Sequence, residues 1–371
     1  MAGVEIVAVE DRRSSRRFLE FPYDHYRHDP YWVPPLRLDQ KKLFDPAKHP
    51  FFRHADTRRF LALRDGRVVG RIAAIVDHNY NQFHGQAYGM FGFFECVDDQ
   101  VVADALLGAA RDWLRRQGTV AILGPVAPST NYECGLLVEG FDSAPFVMMP
   151  YNPPYYADLI ERAGLRKAKD LYAYTASPYT DQGNKIERVA ERAMRGSGIH
   201  IRPIRMKEFP AEVERIWGIY NAAWERNWGF VPVTKEEFDF LAAEMKPLVI
   251  PDLLLIGEVE GRPVGFAMAL PDVNQALRHA GGRLFPLGLF KILYHQRFIR
   301  SCRVLTLGVI QEYRTTGVAA GFYAALNRAA AALQYRDCES SWVLEDNVLM
   351  NRSLLALGAR RYKMYRIYEW A

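Results

Sequence analysis

Leu307-Gly308-Val309-Ile310-Gln311-Glu312-Tyr313-Arg314-Thr315-Thr316-Gly317-Val318-Ala319 changes character twice. It opens as the end of an apolar run, residues 303–310, that reads as a strand. A short polar loop follows, and then an alanine-rich stretch, residues 318–334, that reads as a helix. Strand, tight loop and helix in that order aim several backbone N–H groups at one point. The first turn of a helix has amides without intrahelical acceptors and a partial positive charge, so this junction suits a phosphate. Gly317 carries no Cβ to hold an anion away from the backbone.

Beyond the loop, residues 340–344 read as a further strand, and Asn347 opens a helix that ends at Gly358. Before it, Gly261-Arg262-Pro263-Val264-Gly265 separates the apolar runs 253–256 and 266–270, and Asp272 and Asn274 follow. That pattern reads as a hairpin with a glycine turn. The same pattern stands 195 residues earlier: Gly66-Arg67-Val68-Val69-Gly70 lies between runs 59–63 and 72–76, ahead of Asp77-His78-Asn79. Gly164, Lys169 and Tyr174 recur as Gly358, Lys363 and Tyr368 at an offset of 194. Two ordered matches at nearly one offset indicate duplication of a whole domain. The intervening elements agree: the first half has strands at 89–96 and 119–123 around a helix, 101–117, with Leu106, Leu107, Ala110, Trp113 and Leu114 on one face. The expected class is α/β, two tandem domains, each a mixed twisted sheet flanked by helices. The expected boundaries are 1–180, a linker with a helix at 181–198, and 199–371. The repetition of Asp77 and Asn79 as Asp272 and Asn274 favours a turn role over catalysis for both pairs.

The chain has 371 residues, 49% hydrophobic and 25% charged, which supports two globular domains. No apolar run approaches the ~18 residues of a membrane span. Residues 1–11 lack the apolar core of a secretory signal, so the expected location is the cytoplasm. Cys96, Cys134, Cys302 and Cys338 lack metal-knuckle spacing and read as buried free thiols. His25 and His28 could share a helix face, but no further ligand stands at a fixed spacing, and no metal is expected. A net charge of +5 suits anionic partners and is too mild, without an arginine stripe, for nucleic acid. Residues 283–303 mix Leu287, Phe290, Ile292, Leu293 and Phe298 with Lys291, Arg297, Arg300 and Arg303. Such a segment covers either the protein's own core, a lipid chain, or an anionic membrane at its inner face.

Arg314-Thr315-Thr316-Gly317-Val318-Ala319 resembles the Arg/Gln-x-x-Gly-x-Gly/Ala loop of the GNAT (Gcn5-related N-acetyltransferase) superfamily, and Asn347 stands at a matching distance before Gly358. The resemblance covers residues 200–371 by motif, and 1–180 by topology and the internal repeat. It implies acyl-CoA as co-substrate, held by Gly308, Val309, Arg314, Thr315, Thr316, Gly317, Val318, Ala319 and Asn347, with Gly308 and Val309 at the thioester. It also implies a degenerate first copy. There Cys96-Val97-Asp98-Asp99-Gln100 precedes the helix, acidic and without glycine, and its carboxylates would repel a pyrophosphate. More narrowly, Glu339-Ser340-Ser341-Trp342-Val343-Leu344-Glu345-Asp346-Asn347, Lys363-Met364-Tyr365-Arg366-Ile367-Tyr368, Gly124-Pro125 and Ser129-Thr130-Asn131-Tyr132-Glu133 look like a bacterial family of tandem GNAT proteins. Some of its members resemble bacterial ceramide synthases, which implies transfer of a long acyl chain to a sphingoid base or related lipid amine. The alternatives are an acetyltransferase for a small amine and a non-catalytic ligand-binding protein of the same fold.

Acyl transfer to an amine needs a polarised carbonyl, an acceptor for the amine proton and a donor for the leaving thiolate. Glu345 and Glu133 are the candidate bases. The family's usual acid, a tyrosine in the last helix, corresponds to Leu354, which cannot donate a proton. Tyr313, Tyr323 and Tyr365 are the candidate substitutes for that acid. Asn152-Pro153-Pro154-Tyr155 resembles the signature of adenine N6-methyltransferases, but no glycine-rich loop for that cofactor accompanies it. It reads as the opening of the helix before Gly164.

Overall fold

The computed structural model describes residues 3–179, 182–195, 197–225 and 227–370, and of residues 182–186 the backbone alone. Asp181 and Gly196 of the expected linker lie outside the described residues. In chain order the strands are β1 (Glu5–Ala8), β2 (Ala55–Arg64), β3 (Arg67–Asp77), β4 (Tyr88–Cys96), β5 (Ala121–Gly124), β6 (Val126–Ala127), β7 (Glu133–Cys134) and β8 (Leu136–Glu139). They continue as β9 (Arg166–Ala176), β10 (Ile199–Pro203), β11 (Leu254–Val259), β12 (Arg262–Pro271), β13 (Ser301–Val309), β14 (Asp337–Leu344) and β15 (Arg360–Trp370).

The two glycine signatures form matching hairpins, β2–β3 and β11–β12. Each turns on two residues of positive φ: Asp65 (51°) and Gly66 (74°) in one, Glu260 (51°) and Gly261 (80°) in the other. This mirror-image turn matches the twist of paired strands, and glycine is the residue its second position favours. Each hairpin also shifts register near its turn, at Ala62/Leu63 and at Gly257/Glu258. Duplication is therefore visible in the backbone as well as in the side chains.

Two compact units interleave along the chain. The first comprises the chain up to Leu171, Leu277–Leu293, and the chain from Lys363 onward; the second comprises Tyr172–Ala276 and Tyr294–Tyr362. The sequence reading cut the chain once, between 180 and 199. The units change over inside β9, between Ala276 and Leu277, inside the helix Gly288–His295 and inside β15. The first unit thus completes its sheet with the end of the second repeat, and the second unit takes Tyr172–Ala176 from the end of the first.

In the first unit the strand order is β1-β2-β3-β4-β5-β15, with β8 also on β15. β4 and β5 run parallel; β15 is antiparallel to β5 and β8. The helix Gln100–Arg116 buries Val102, Leu106, Leu107, Ala110 and Leu114, a stripe at helical spacing, against Phe60, Ile72, Ala74 and Phe91 of the sheet. Asn152 has a structural role here. It clamps β8, accepting the Leu137 N–H at 2.7 Å and donating to the Leu137 carbonyl at 3.1 Å. Tyr155 then precedes the helix Tyr156–Arg162.

In the second unit the order is β9-β14-β13-β12-β11-β10. Alternation along β11 splits its side chains between two layers. Leu255 packs with Val318, Phe322, Leu326 and Ala330 of the helix Val318–Ala332. Leu254 and Ile256 pack with Val213, Ile216 and Ile219 of the helix Phe209–Trp224. Full burial of each such side chain stabilises the fold by about 1.5–3 kcal/mol. The helix Gln182–Met194 packs along Val318–Ala332. Among the described residues, no helix is long and apolar enough to cross a membrane.

Candidate functional site

β13 and β14 are parallel neighbours for only part of their length. Their pairing runs from Ser301↔Asp337 to Val304↔Ser340 and then stops, although β13 continues to Val309 and β14 to Leu344. The cause lies on the other edge of β13. Between Met268 and Ala269 the register with β12 slips, leaving Leu305 as an extra residue. A bulge of this kind bends its strand and ends pairing beside it. The splayed ends enclose a cleft of about 260 Å³ lined by Leu305–Val309, Ser341–Leu344, Trp224, Arg314, Ala319, Tyr323 and Asn347, among others.

Backbone direction along β13 decides which groups face that cleft. The Ile310 N–H donates to the Val264 carbonyl on β12 at 2.9 Å. By alternation Gly308 faces β12 too, and Leu307 and Val309 face the cleft. Two observations agree: a Cβ on Gly265 would stand 2.8 Å from the Gly308 oxygen, and the Val309 carbonyl accepts from Arg314 Nε at 3.2 Å. Of the two residues expected at a thioester, Val309 turns its backbone toward the cleft and Gly308 turns its backbone toward β12. Leu307, which the sequence reading did not single out, presents the second N–H. Gly308 has another role: a Cβ there would lie 2.0 Å from Cη2 of Trp224, so only glycine lets that indole form the cleft wall.

At the mouth of the cleft the helix Val318–Ala332 begins at Gly317, with φ of 99° and no side-chain cap. Its first internal bond is Gly321 N–H to the Gly317 carbonyl at 3.0 Å, so the amides of Val318, Ala319 and Ala320 have no acceptor within the helix. Gly317 is required by its φ and by packing, since a Cβ would stand 2.6 Å from Cβ of Ala193. Its substitution would disturb the fold as well as any ligand. Arg314 acts through the protein. Its Nε holds the Val309 carbonyl, and its Nη2 holds the Ala223 carbonyl at 2.7 Å. These bonds fix the loop between the end of β13 and the end of helix Phe209–Trp224. Thr316 likewise bonds the Tyr313 carbonyl through Oγ1, while Thr315 is exposed. Asn347 caps the helix Val348–Ala356 through the Met350 N–H at 3.2 Å and also lines the cleft.

Two buried polar atoms in the cleft, Oγ1 of Thr306 and Nε1 of Trp342, have no hydrogen-bond partner among the described residues. A polar ligand that enters the cleft would meet a donor and a hydroxyl ready to pair. Beneath the paired part of β13 and β14 lies a second cavity, of about 80 Å³, lined by Leu253, Ala269, Cys302, Leu326, Ala330 and Leu357, among others. It shares Val304, Tyr323, Ser340 and Leu354 with the cleft, and among the described residues no charged side chain lines it. Cys302 and Cys338, read as free thiols, are both free and stand with their sulfurs 3.3 Å apart in this cavity's wall. Behind the cleft, buried Arg303 pairs with buried Glu339 (Nε–Oε1 3.5 Å), and Ser341 accepts from Arg303 Nε at 2.8 Å and donates to Glu339 at 2.6 Å.

The expected acid and bases divide between the two units. Tyr365 belongs to the first unit, fully buried on β15 opposite Leu137. Glu133 is exposed on the short hairpin β6–β7 of that unit. Glu345 follows the last residue of β14, half-buried, next to the cleft-lining Leu344. Leu354 is buried in the cleft wall. Tyr323, read as a substitute acid, lines the cleft with it; its hydroxyl touches Sδ of Met350 at 2.7 Å, and burial pushes its pKa up, keeping the phenol protonated.

The first unit has the matching splay, but its own chain fills it. β4 pairs with β5 only from Tyr88↔Ala121 to Met90↔Leu123, and a Cβ on Gly92 would stand 1.6 Å from the oxygen of Val126 on β6. Its helix N-terminus is also occupied. Asp99 accepts the Val101 N–H at 2.9 Å and pairs with Arg64 at 2.8 Å, a bond that holds its carboxyl below the usual range. The carboxylate already sits where a phosphate would bind. His25 Nε2 lies 3.0 Å from the hydroxyl oxygen of Tyr156, and burial lowers its pKa to about 4. Among the described residues, no group of three or more His, Cys, Asp or Glu side chains is placed to hold a metal.

No family model matches the chain. Among curated proteins it is 36% identical over 380 residues to the bacterial ceramide synthase of Caulobacter vibrioides, covering 100% of this chain and 98% of that protein. It is 35% identical over 372 residues to protein YghO of Escherichia coli, covering 97% of this chain and 93% of that one. Among solved structures, a tandem GNAT protein from the clavulanic acid biosynthesis pathway aligns over 99% of this chain and 98% of its own with a TM-score of 0.57 at 12% identity. The GCN5-related glucosamine N-acetyltransferase region of a fungal multi-domain GH3 β-N-acetylglucosaminidase aligns over 100% of this chain and 38% of that one with a TM-score of 0.60 at 17% identity. The fold is that of tandem GNAT proteins, and the chain belongs to the tandem GNAT family that includes the Caulobacter ceramide synthase and YghO.

Proposed function

We propose that this acyltransferase moves a long acyl chain from acyl-CoA to the amine of a sphingoid base or related lipid, at the cleft of the second unit. The observation that carries the reading is the path from an uncapped helix N-terminus into the splayed β13/β14 cleft. The pyrophosphate would meet the amides of Val318–Ala320, and the pantetheine arm would lie along the open strand edges. The thioester oxygen would meet the N–H groups of Leu307 and Val309, which preorganised would stabilise its developing charge. The amine nitrogen attacks the carbonyl carbon, the new C–N bond forms, and the C–S bond breaks. Tyr323 in the cleft wall is able to give its proton to the thiolate, and the proton that the amine nitrogen sheds passes through solvent to restore Tyr323, so that an amide and a thiol leave. The uncharged cavity beneath the last strand pair suits an alkyl chain, and the name of the Caulobacter relative supports a sphingoid-type acceptor.

The test is titration with acetyl-CoA and palmitoyl-CoA, followed by thiol release in the presence of sphinganine. Tighter binding of the long chain and amine-dependent thiol release are expected. Binding of neither thioester would overturn the assignment, and release with short acyl groups and small amines alone would replace the lipid substrates. Tyr323→Phe should lower kcat by roughly 100-fold and leave KM for acyl-CoA nearly unchanged. Unchanged turnover would remove Tyr323 from the proton step.

A further inference from the structure

Residues 278–300 hold five arginine or lysine residues and no aspartate or glutamate. At their centre is the helix Gly288–His295. Gly288 and the following Ile299 are buried and Ile292 is half-buried, so this side faces the protein. The opposite side of a surface helix is ordinarily polar. Here it carries Leu289, Phe290, Leu293 and Tyr294, all exposed, flanked by exposed Phe285 and Phe298. Phe285 is 78% exposed and Phe290 68%. Large apolar side chains gathered in this way mark a surface that another phase or partner covers.

The segment stands on a fixed stem. Arg278 Nη2 donates to the Pro30 carbonyl at 3.1 Å, the Arg37 N–H to the Gly282 carbonyl at 3.0 Å, and Arg37 Nη1 to the Gly281 carbonyl at 3.1 Å. Phe285, Leu289, Phe290 and Leu293, which belong to the same unit as these bonds, are thus presented on an anchored element.

We propose that this helix docks the protein on an anionic lipid bilayer, with Phe285, Phe290, Leu293 and Phe298 entering the headgroup–acyl boundary and Lys291 and Arg297 pairing with lipid phosphates. Charge complementarity selects this occupant. A second copy joined symmetrically through the same patch would set arginines and lysines against their own images, with no acid on the segment to neutralise them. An anionic bilayer supplies both an apolar phase and negative charge. Tyr294 suits the headgroup level, where an amphipathic ring resides.

The experiment is co-sedimentation of the full chain with vesicles of phosphatidylglycerol and phosphatidylethanolamine, set against phosphatidylcholine alone. Wild type should partition to the anionic vesicles. Phe285→Ser/Phe290→Ser/Leu293→Ser should weaken partition at least roughly tenfold. Lys291→Glu/Arg297→Glu should erase the preference for anionic lipid. Both variants change exposed side chains, and both should keep the melting temperature and the acyl-CoA affinity of wild type, so failure here is separable from failure of the acyltransferase reading. Absence of vesicle binding, or equal binding by the triple variant, would overturn the proposal. So would a wild-type dimer that the triple variant turns into monomer.

Discussion

Ala319→Asp should weaken acyl-CoA binding at least ~30-fold without loss of folding. Ala319 lies in the first turn of helix Val318–Ala332 and lines the cleft. A carboxylate there stands beside the site where a pyrophosphate would sit. Two like charges ~4 Å apart at an effective dielectric of ~20 repel by about 4 kcal/mol; with half of that lost to screening, about 2 kcal/mol remains, or ~30-fold in affinity. The helix itself gains from the change. A carboxylate in the first turn interacts favourably with the macrodipole, by about 0.3–1 kcal/mol. Melting temperature should hold or rise while calorimetric affinity for CoA falls, and Ala319→Asn should fall much less. Wild-type affinity in Ala319→Asp would move the phosphate site away from this helix. Asp99 makes the same point in reverse. The first unit has such a carboxylate, engaged with its own helix and with Arg64.

Glu339→Ala should cost about 3–5 kcal/mol of stability. Glu339 is fully buried, and it receives hydrogen bonds from Ser341 and Tyr362 and pairs with Arg303. Truncation removes the carboxylate that stands beside the buried Arg303 guanidinium and frees two hydroxyl donors. Denaturant unfolding would show the change as a lower midpoint. Arg303 also stacks over the ring of Trp342 at 5.0 Å, so the same variant should loosen the cleft wall and raise the KM for acyl-CoA. A loss below ~1 kcal/mol would mean that the pair is solvated or compensated.

The elements that the sequence announced are those whose signals are local. A two-residue turn with glycine, a strand–loop–helix junction and a helical stripe each lie within about twenty residues, and all form where they were read. The site was less legible because the sheet assembles it from distant segments. Trp224, Thr306, Tyr323 and Trp342 come from two helices and two strands, and only their shared cleft marks them as related. Gly308 and Gly317 were read as contacts for a ligand. Their backbones show packing roles, one against Trp224 and one against Ala193. Tyr365 and Glu133 looked available because sequence carries no record of which unit a strand joins. The plug of the first cleft by Val126 is invisible for a similar reason: nothing local says that a segment after a Gly-Pro step crosses the neighbouring strand.

The exchange of terminal strands sets the order of events during synthesis. The first unit contains the chain from Lys363 onward, so its sheet lacks a member until residues 363–370 have left the ribosome. Domains of a nascent chain ordinarily fold one after another from the N-terminus. Here the first repeat must wait, with the face of β5 and β8 that receives β15 unpaired, through the whole elongation of the second. An unpaired strand edge is a template for another chain, so that edge is exposed to mispairing for the time the second repeat takes to emerge.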